Sequence, residues 1–144
     1  GLDPDADPRT LPVRRTQDVA VIDLFGFTPI SGKRLATSRF SFTTAAPEQI
    51  AGKSLDARTD VLGLGRTAVL MLYAGFETRM PFSADFFGGP ELRRLLVAGH
   101  GLGDQAARTL DAILSAANAD KPRQRPRSAL TFAEMLEQWI DQAA

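Results

Sequence analysis

The groups able to do chemistry in this chain are few and unevenly spread. Residues 31–44 gather six hydroxyls, Ser31, Thr37, Ser38, Ser41, Thr43 and Thr44, around Arg34 and Arg39. A phosphate added to one of them would gain a guanidinium partner and order the segment, whereas the unmodified stretch reads as a polar loop. Asp3, Asp5 and Asp7 have the alternation that opens a calcium loop, but Pro8 stands where the sharp turn needs glycine and Arg14 where a bidentate glutamate is required. The single histidine, His100, lies between Gly99 and Gly101 without a serine or cysteine at a telling spacing, so it reads as a surface residue. Lys121, Arg123, Arg125 and Arg127 form a basic run without interleaved aromatics, which reads as a solvated loop.

The elements that must position these groups belong to one domain. The chain has 144 residues, 44% apolar and 24% charged, enough for one core. Seventeen basic residues balance seventeen acidic ones, so neither a nucleic acid nor an anionic membrane is the expected partner. Cysteine is absent, which excludes disulfides and thiolate metal sites and permits a reducing compartment. Residues 1–7 lack a signal-peptide pattern and no apolar run reaches membrane-spanning length, so a cytoplasmic protein is expected. Gly1 in place of Met suggests a piece of something larger.

Periodicity and punctuation predict a mainly α fold with one short β element near the start. Residues 1–18 have loop composition, and the β-branched run at 19–22 predicts a buried strand ending at Asp23. Pro47 and Gly52 bracket a short helix. A second helix is expected from Thr59 or Asp60 as N-cap to Tyr73, stopping at Gly75, apolar nearly all round and therefore central. Pro90 and Gly99 bracket a third, and residues 104–118 carry a fourth with Ala107, Leu110, Ile113, Leu114 and Ala117 on one stripe. In the last helix Thr131 and Glu134 suggest a capping box before Phe132, Met135, Leu136, Trp139, Ile140 and Ala143.

Three stretches then resemble eukaryotic-like bacterial Ser/Thr protein kinases. Ala46, Pro47 and Glu48 match an Ala-Pro-Glu motif that follows an activation-segment-like loop at 27–46. The sequence Asp-Val-Leu-Gly-Leu-Gly at 60–65 is similar to the Asp-Val-Trp-Ser-Leu-Gly of the central helix, with Leu62 in place of Trp, and Gly75, Pro81 and Phe82 follow as its usual close. Lys-Pro-Arg-Gln-Arg-Pro at 121–126 resembles the Asp-Pro-x-x-Arg-Pro motif before the final helix. The resemblance covers 3–139 and implies a kinase-like C-terminal lobe spanning 1–144, with a degenerate catalytic loop at 1–18 and a helical core at 47–144. It makes Arg125 the partner of Glu48, a pairing that a buried carboxylate needs. It also gives Asp60 a second task, accepting catalytic-loop amides.

The same resemblance places the catalytic parts, and they are eroded. Asp23 stands for the metal-binding aspartate that would hold Mg²⁺ and ATP, yet the motif reads Asp-Leu-Phe-Gly, and a strand-end aspartate is the simpler reading. Asp5 falls where the catalytic aspartate would lie, with Asp7 in place of the loop lysine and Thr10 in place of the second metal ligand. An acidic Asp7 would repel a transferring phosphate. No Gly-x-Gly-x-x-Gly is present, since the ATP-binding N-lobe is not in this sequence. The expectation is a catalytically impaired, pseudokinase-like module that binds a protein partner or a missing N-lobe; the alternative is the C-lobe of an active Ser/Thr kinase. Phe82, Phe86 and Phe87 are the expected exposed partner contacts, Ser41, Thr43 and Thr44 the expected phosphosites, and apolar residues around 19–22 imply weak self-association. A third reading is an unrelated helical adaptor.

Overall fold

Backbone punctuation decides where each helix begins and ends in the computed structural model, which describes residues 45–74, 76 and 84–143. The expected strand at 19–22, the loop at 27–44 and residues 1–18 lie outside the described residues. Five helices make up the described part, with no strand among the described residues.

Helix α1 (Pro47–Ile50) starts on the φ that proline already holds, and the Gln49 side chain accepts the Ala46 N–H at 2.8 Å. Gly52 ends it at φ 61°: its N–H donates to the Gln49 carbonyl at 3.1 Å and the Lys53 N–H to the Glu48 carbonyl at 2.8 Å. That pair of bonds is a Schellman closure, which needs the left-handed residue that glycine supplies without a Cβ penalty.

Helix α2 (Ala57–Tyr73) begins earlier than the sequence suggested. Its cap is Asp56, in extended backbone, whose carboxylate accepts the Arg58 N–H at 2.8 Å. Thr59 and Asp60 lie inside the first turn, where the backbone is already helical and neither can cap. Nor is α2 buried all round. Val61, Leu62, Gly65, Val69 and Tyr73 face inward, while Asp60, Leu64, Thr67 and Met71 form an exposed stripe, with Met71 72% exposed.

A 3₁₀ turn (Ala84–Phe87) leads to α3 (Pro90–Arg94), which runs without a break into a π-helical turn (Leu95–Gly99) and stops at Gly101, φ 69°. Helix α4 (Asp104–Ala117) follows and carries the inward stripe predicted for it. A second 3₁₀ turn (Pro122–Gln124) precedes α5 (Ala129–Ala143). There too the start moves: Ser128 Oγ accepts the Thr131 N–H at 3.1 Å, so Ser128 is the cap and Thr131 the third helical residue, not the cap of a Thr131–Glu134 box. Pro126 cannot donate within a helix, and a serine two positions on can release the chain into one.

The core lies where α2, α4 and α5 meet and the 3₁₀ turn closes one side. Tyr73 stacks on Phe86 at 4.2 Å, and Phe86 meets Phe87 edge-on at 5.1 Å. Leu92, Leu96, Leu110, Leu114 and Phe132 complete it, and Trp139 locks α5 onto α4 by donating its indole N–H to the Ala106 carbonyl at 2.9 Å. At Gly65 α2 comes close against α4: a Cβ there would sit 2.8 Å from the Ala117 Cβ and 3.0 Å from Asn118 Nδ2. Gly65→Ala should therefore cost about 1–3 kcal/mol by forcing the helices apart, despite alanine's better helix propensity. Gly103→Ser, at an N-cap with open space around its Cα, should gain roughly a few tenths of a kcal/mol. Urea unfolding midpoints of the two variants measure both.

Candidate functional site

The best-built polar cluster joins three distant parts of the sequence. Arg125 Nη1 donates to Glu48 Oε1 at 2.6 Å and Nη2 to Glu48 Oε2 at 3.0 Å, a two-pronged pair between residues 77 positions apart. The remaining donors are also used. Nε reaches the Ala119 carbonyl at 2.7 Å, Nη1 the Arg58 carbonyl at 3.0 Å and Nη2 the Asp120 carbonyl at 2.9 Å. All five N–H groups of the guanidinium are thus satisfied, the condition under which a charge can be buried without a large loss.

Local structure puts each partner in place. Glu48 sits in the first turn of α1 with 7% of its surface exposed, held there by Pro47 before it and the Gly52 closure behind it. Arg125 directly follows the 3₁₀ turn, in extended backbone at φ −84°, ψ 156°, with its side chain wholly buried. Thr59 adds a third hand from α2: its hydroxyl donates to Glu48 Oε1 at 3.0 Å while accepting the Asp56 N–H at 3.4 Å. The α2 cap and the ion pair are therefore one network.

Burial works to raise the Glu48 carboxyl, but the Arg125 hydrogen bonds, its own backbone amide, the Thr59 hydroxyl and the Arg125 charge outweigh it and leave the group below its ordinary 4.5. Because the folded chain holds this proton less tightly than the unfolded one, the contribution is fully present above about pH 4.5 and is lost as the pH falls through the lowered value. Chemically the cluster is closed. Its donors are spent on protein acceptors, which suits a structural clamp and leaves nothing to offer a ligand.

A second cluster escaped the sequence reading. Asp111, buried on α4, accepts the Gly89 N–H at 2.7 Å and the Ser115 hydroxyl at 3.2 Å, and meets Arg93 Nε at 3.4 Å. It fixes the entry to α3. In sequence it is one aspartate on an amphipathic helix between apolar neighbours, and only its position on the buried stripe beside Leu110 and Leu114 could have pointed to it. Arg66 joins elements as well: Nη1 donates to the Ala45 carbonyl at 2.6 Å and the guanidinium lies 5.0 Å from the Phe87 ring centroid, a cation–π contact tying the residues before α1 to the core. Burial lowers the Arg66 guanidinium from its ordinary value.

Phe86 and Phe87, expected on the surface, are 2% and 8% exposed and belong to the core, because the 3₁₀ turn folds them back against Tyr73. Asp60 is exposed on the first turn of α2 and caps nothing there. His100 is exposed as expected, donating Nε2–H to the Leu72 carbonyl at 2.7 Å and tilting against Phe76. Asp5, Asp23, Ser31, Thr37, Ser38, Ser41, Thr43, Thr44 and Phe82 lie outside the described residues. Among the described residues no group of acidic or histidine side chains is arranged to hold a metal, and no helix is long and apolar enough to cross a membrane.

No protein-family model matches the chain, and neither a curated protein nor a solved structure matches it.

Removing Arg125 alone strands a buried carboxylate, so Arg125→Ala should destabilise by about 3–5 kcal/mol. Glu48→Gln should cost less and should flatten the acid limb of stability against pH. A double-mutant cycle of Glu48→Ala and Arg125→Ala, read by denaturant unfolding near pH 7 and near pH 4, should give a coupling of about 1–3 kcal/mol at the higher pH and less at the lower. Equal coupling at both values would contradict the sign derived above.

Proposed function

We propose that the chain is a kinase-like helical lobe, impaired in catalysis, that works in the cytoplasm as a regulatory or protein-binding module. The observation that carries this reading is the two-pronged Glu48–Arg125 pair. It links the Ala-Pro-Glu tripeptide to the Arg-Pro dipeptide before the last helix, the coupling that the family resemblance implies. The order of helices supports it: a short helix at the tripeptide, a long helix that carries residues 60–65, and two further helices before the arginine.

Three sequence features support impairment. Asp7 replaces the loop lysine, Thr10 replaces a metal-binding asparagine, and the motif at Asp23 carries an extra residue or has lost its glycine. Phosphoryl transfer depends on charge stabilisation and positioning, and each replacement removes part of one or the other. ATP and Mg²⁺ are on this reading weak ligands or lost ones, held through Asp23 where they bind at all. The partner is a protein, a missing N-lobe or a second copy of the chain.

Thermal unfolding with and without ATP and Mg²⁺ tests the assignment, because a ligand confined to the folded state adds about 2.7 kcal/mol at about a hundred times its Kd. The expected outcome is an unchanged midpoint. A rise that disappears in Asp23→Ala would overturn impairment in favour of the lobe of an active Ser/Thr kinase.

A further inference from the structure

Helices α3 and α4 enclose an open groove of about 440 Å³. One wall is the outer face of α3 and its π-helical extension, with Arg93, Arg94 and Val97; the other is the start of α4, with Asp104, Ala107 and Arg108. With Asp104 in the groove and Asp111 behind Arg93, three guanidinium groups face two carboxylates, a local positive excess carried by Arg94 on a chain whose formal net charge is zero.

The arginines differ in how they are held. Arg93 is braced from behind by the buried Asp111 at 3.4 Å. Arg94 has no ion-pair partner among the described residues. Arg108 meets Asp104 at 3.6 Å, but the two side chains are 65% and 78% exposed, a pair of little strength that a competing carboxylate can displace. Between them Val97 is 38% exposed, an aliphatic side chain facing solvent inside a basic rim.

We propose that this groove docks an acidic segment of a partner protein, in which two carboxylates flank one aliphatic side chain. The carboxylates pair with Arg94 on one wall and Arg108 on the other, and the aliphatic group covers Val97 and Ala98, both exposed in the groove. From Pro90 to Ala98 the wall rises about 12 Å along the helix axis, the span of about four extended residues. No aromatic side chain lines the groove, so stacked bases have no platform. The choice of a protein partner rests on the binding-module reading above.

The test is a titration of the isotope-labelled full chain with the peptide acetyl-Gly-Glu-Leu-Glu-Gly-amide, followed by amide chemical shifts. Its Gln-Leu-Gln and Lys-Leu-Lys counterparts and a single-stranded thymidine oligonucleotide are titrated in parallel. Shifts confined to α3 and the start of α4, a Kd of about 1 mM or tighter, and weakening at about 0.5 M salt are expected. Arg94→Glu combined with Arg108→Glu should weaken the acidic peptide at least about tenfold and favour the Lys-Leu-Lys peptide; both side chains project from the surface, and an unchanged unfolding midpoint establishes that the fold is kept. Val97→Ser should weaken it severalfold without removing the salt dependence.

Equal affinity for the Gln-Leu-Gln peptide, shifts centred elsewhere, or no effect of the double charge reversal would overturn the proposal. Tighter binding of the oligonucleotide at the same arginines would replace it with a nucleic-acid surface. A failed peptide titration leaves the nucleotide unfolding result standing, and a nucleotide-dependent midpoint leaves the titration standing, so the two readings fail separately.

Discussion

A buried carboxylate cannot be left alone, and the described part of this chain is arranged around that constraint. Glu48 enters the interior on a four-residue helix too short to be stable by itself. What keeps it there is Arg125, and what keeps Arg125 there is a set of backbone carbonyls from the first turn of α2 and the loop after α4. The start of α2, the end of α4 and the approach to α5 therefore share one set of hydrogen bonds. A lysine at 125 would present the charge without the fork, and a glutamine the length without the charge.

Saturation of that network separates the clamp from any ligand-facing role. A guanidinium with all five donors spent has no capacity for a phosphate or a partner carboxylate, whereas Arg94 and Arg108 stand in solvent beside an aliphatic patch. Residues of the same type, on neighbouring elements, thus do opposite jobs because one set is desolvated and internally satisfied and the other is not.

How much of this was legible in the sequence depended on the kind of signal. Helix α1, the third helix and α4 were announced by proline, glycine and apolar spacing, which act through local backbone geometry. The Glu48–Arg125 pairing came from a resemblance, since no local rule links residues so far apart. The caps were misplaced at α2 and α5 for one reason: several polar residues in a row can each cap, and the choice falls to tertiary contacts. Thr59 was drawn into the Glu48 network, leaving Asp56 to cap. Phe86 and Phe87 were expected on the surface because the resemblance implies partner docking beside the helix at Pro90, but a 3₁₀ turn returns them to Tyr73. Asp111 could not be told from a solvent-facing aspartate until α3 was packed beside it.

The 77-residue separation of the clamp partners has a consequence for the order of events during synthesis. At about 5–20 residues per second, Glu48 leaves the ribosome roughly 4–15 s before Arg125 does. Over that interval α2 can form from local interactions, but its inward face has neither α4 nor α5 to cover it, and the carboxylate has no counter-ion. The nascent chain must carry an uncovered apolar face on α2 for seconds, a substrate for holdase chaperones, and the emergence of residues 104–143 determines when that exposure ends.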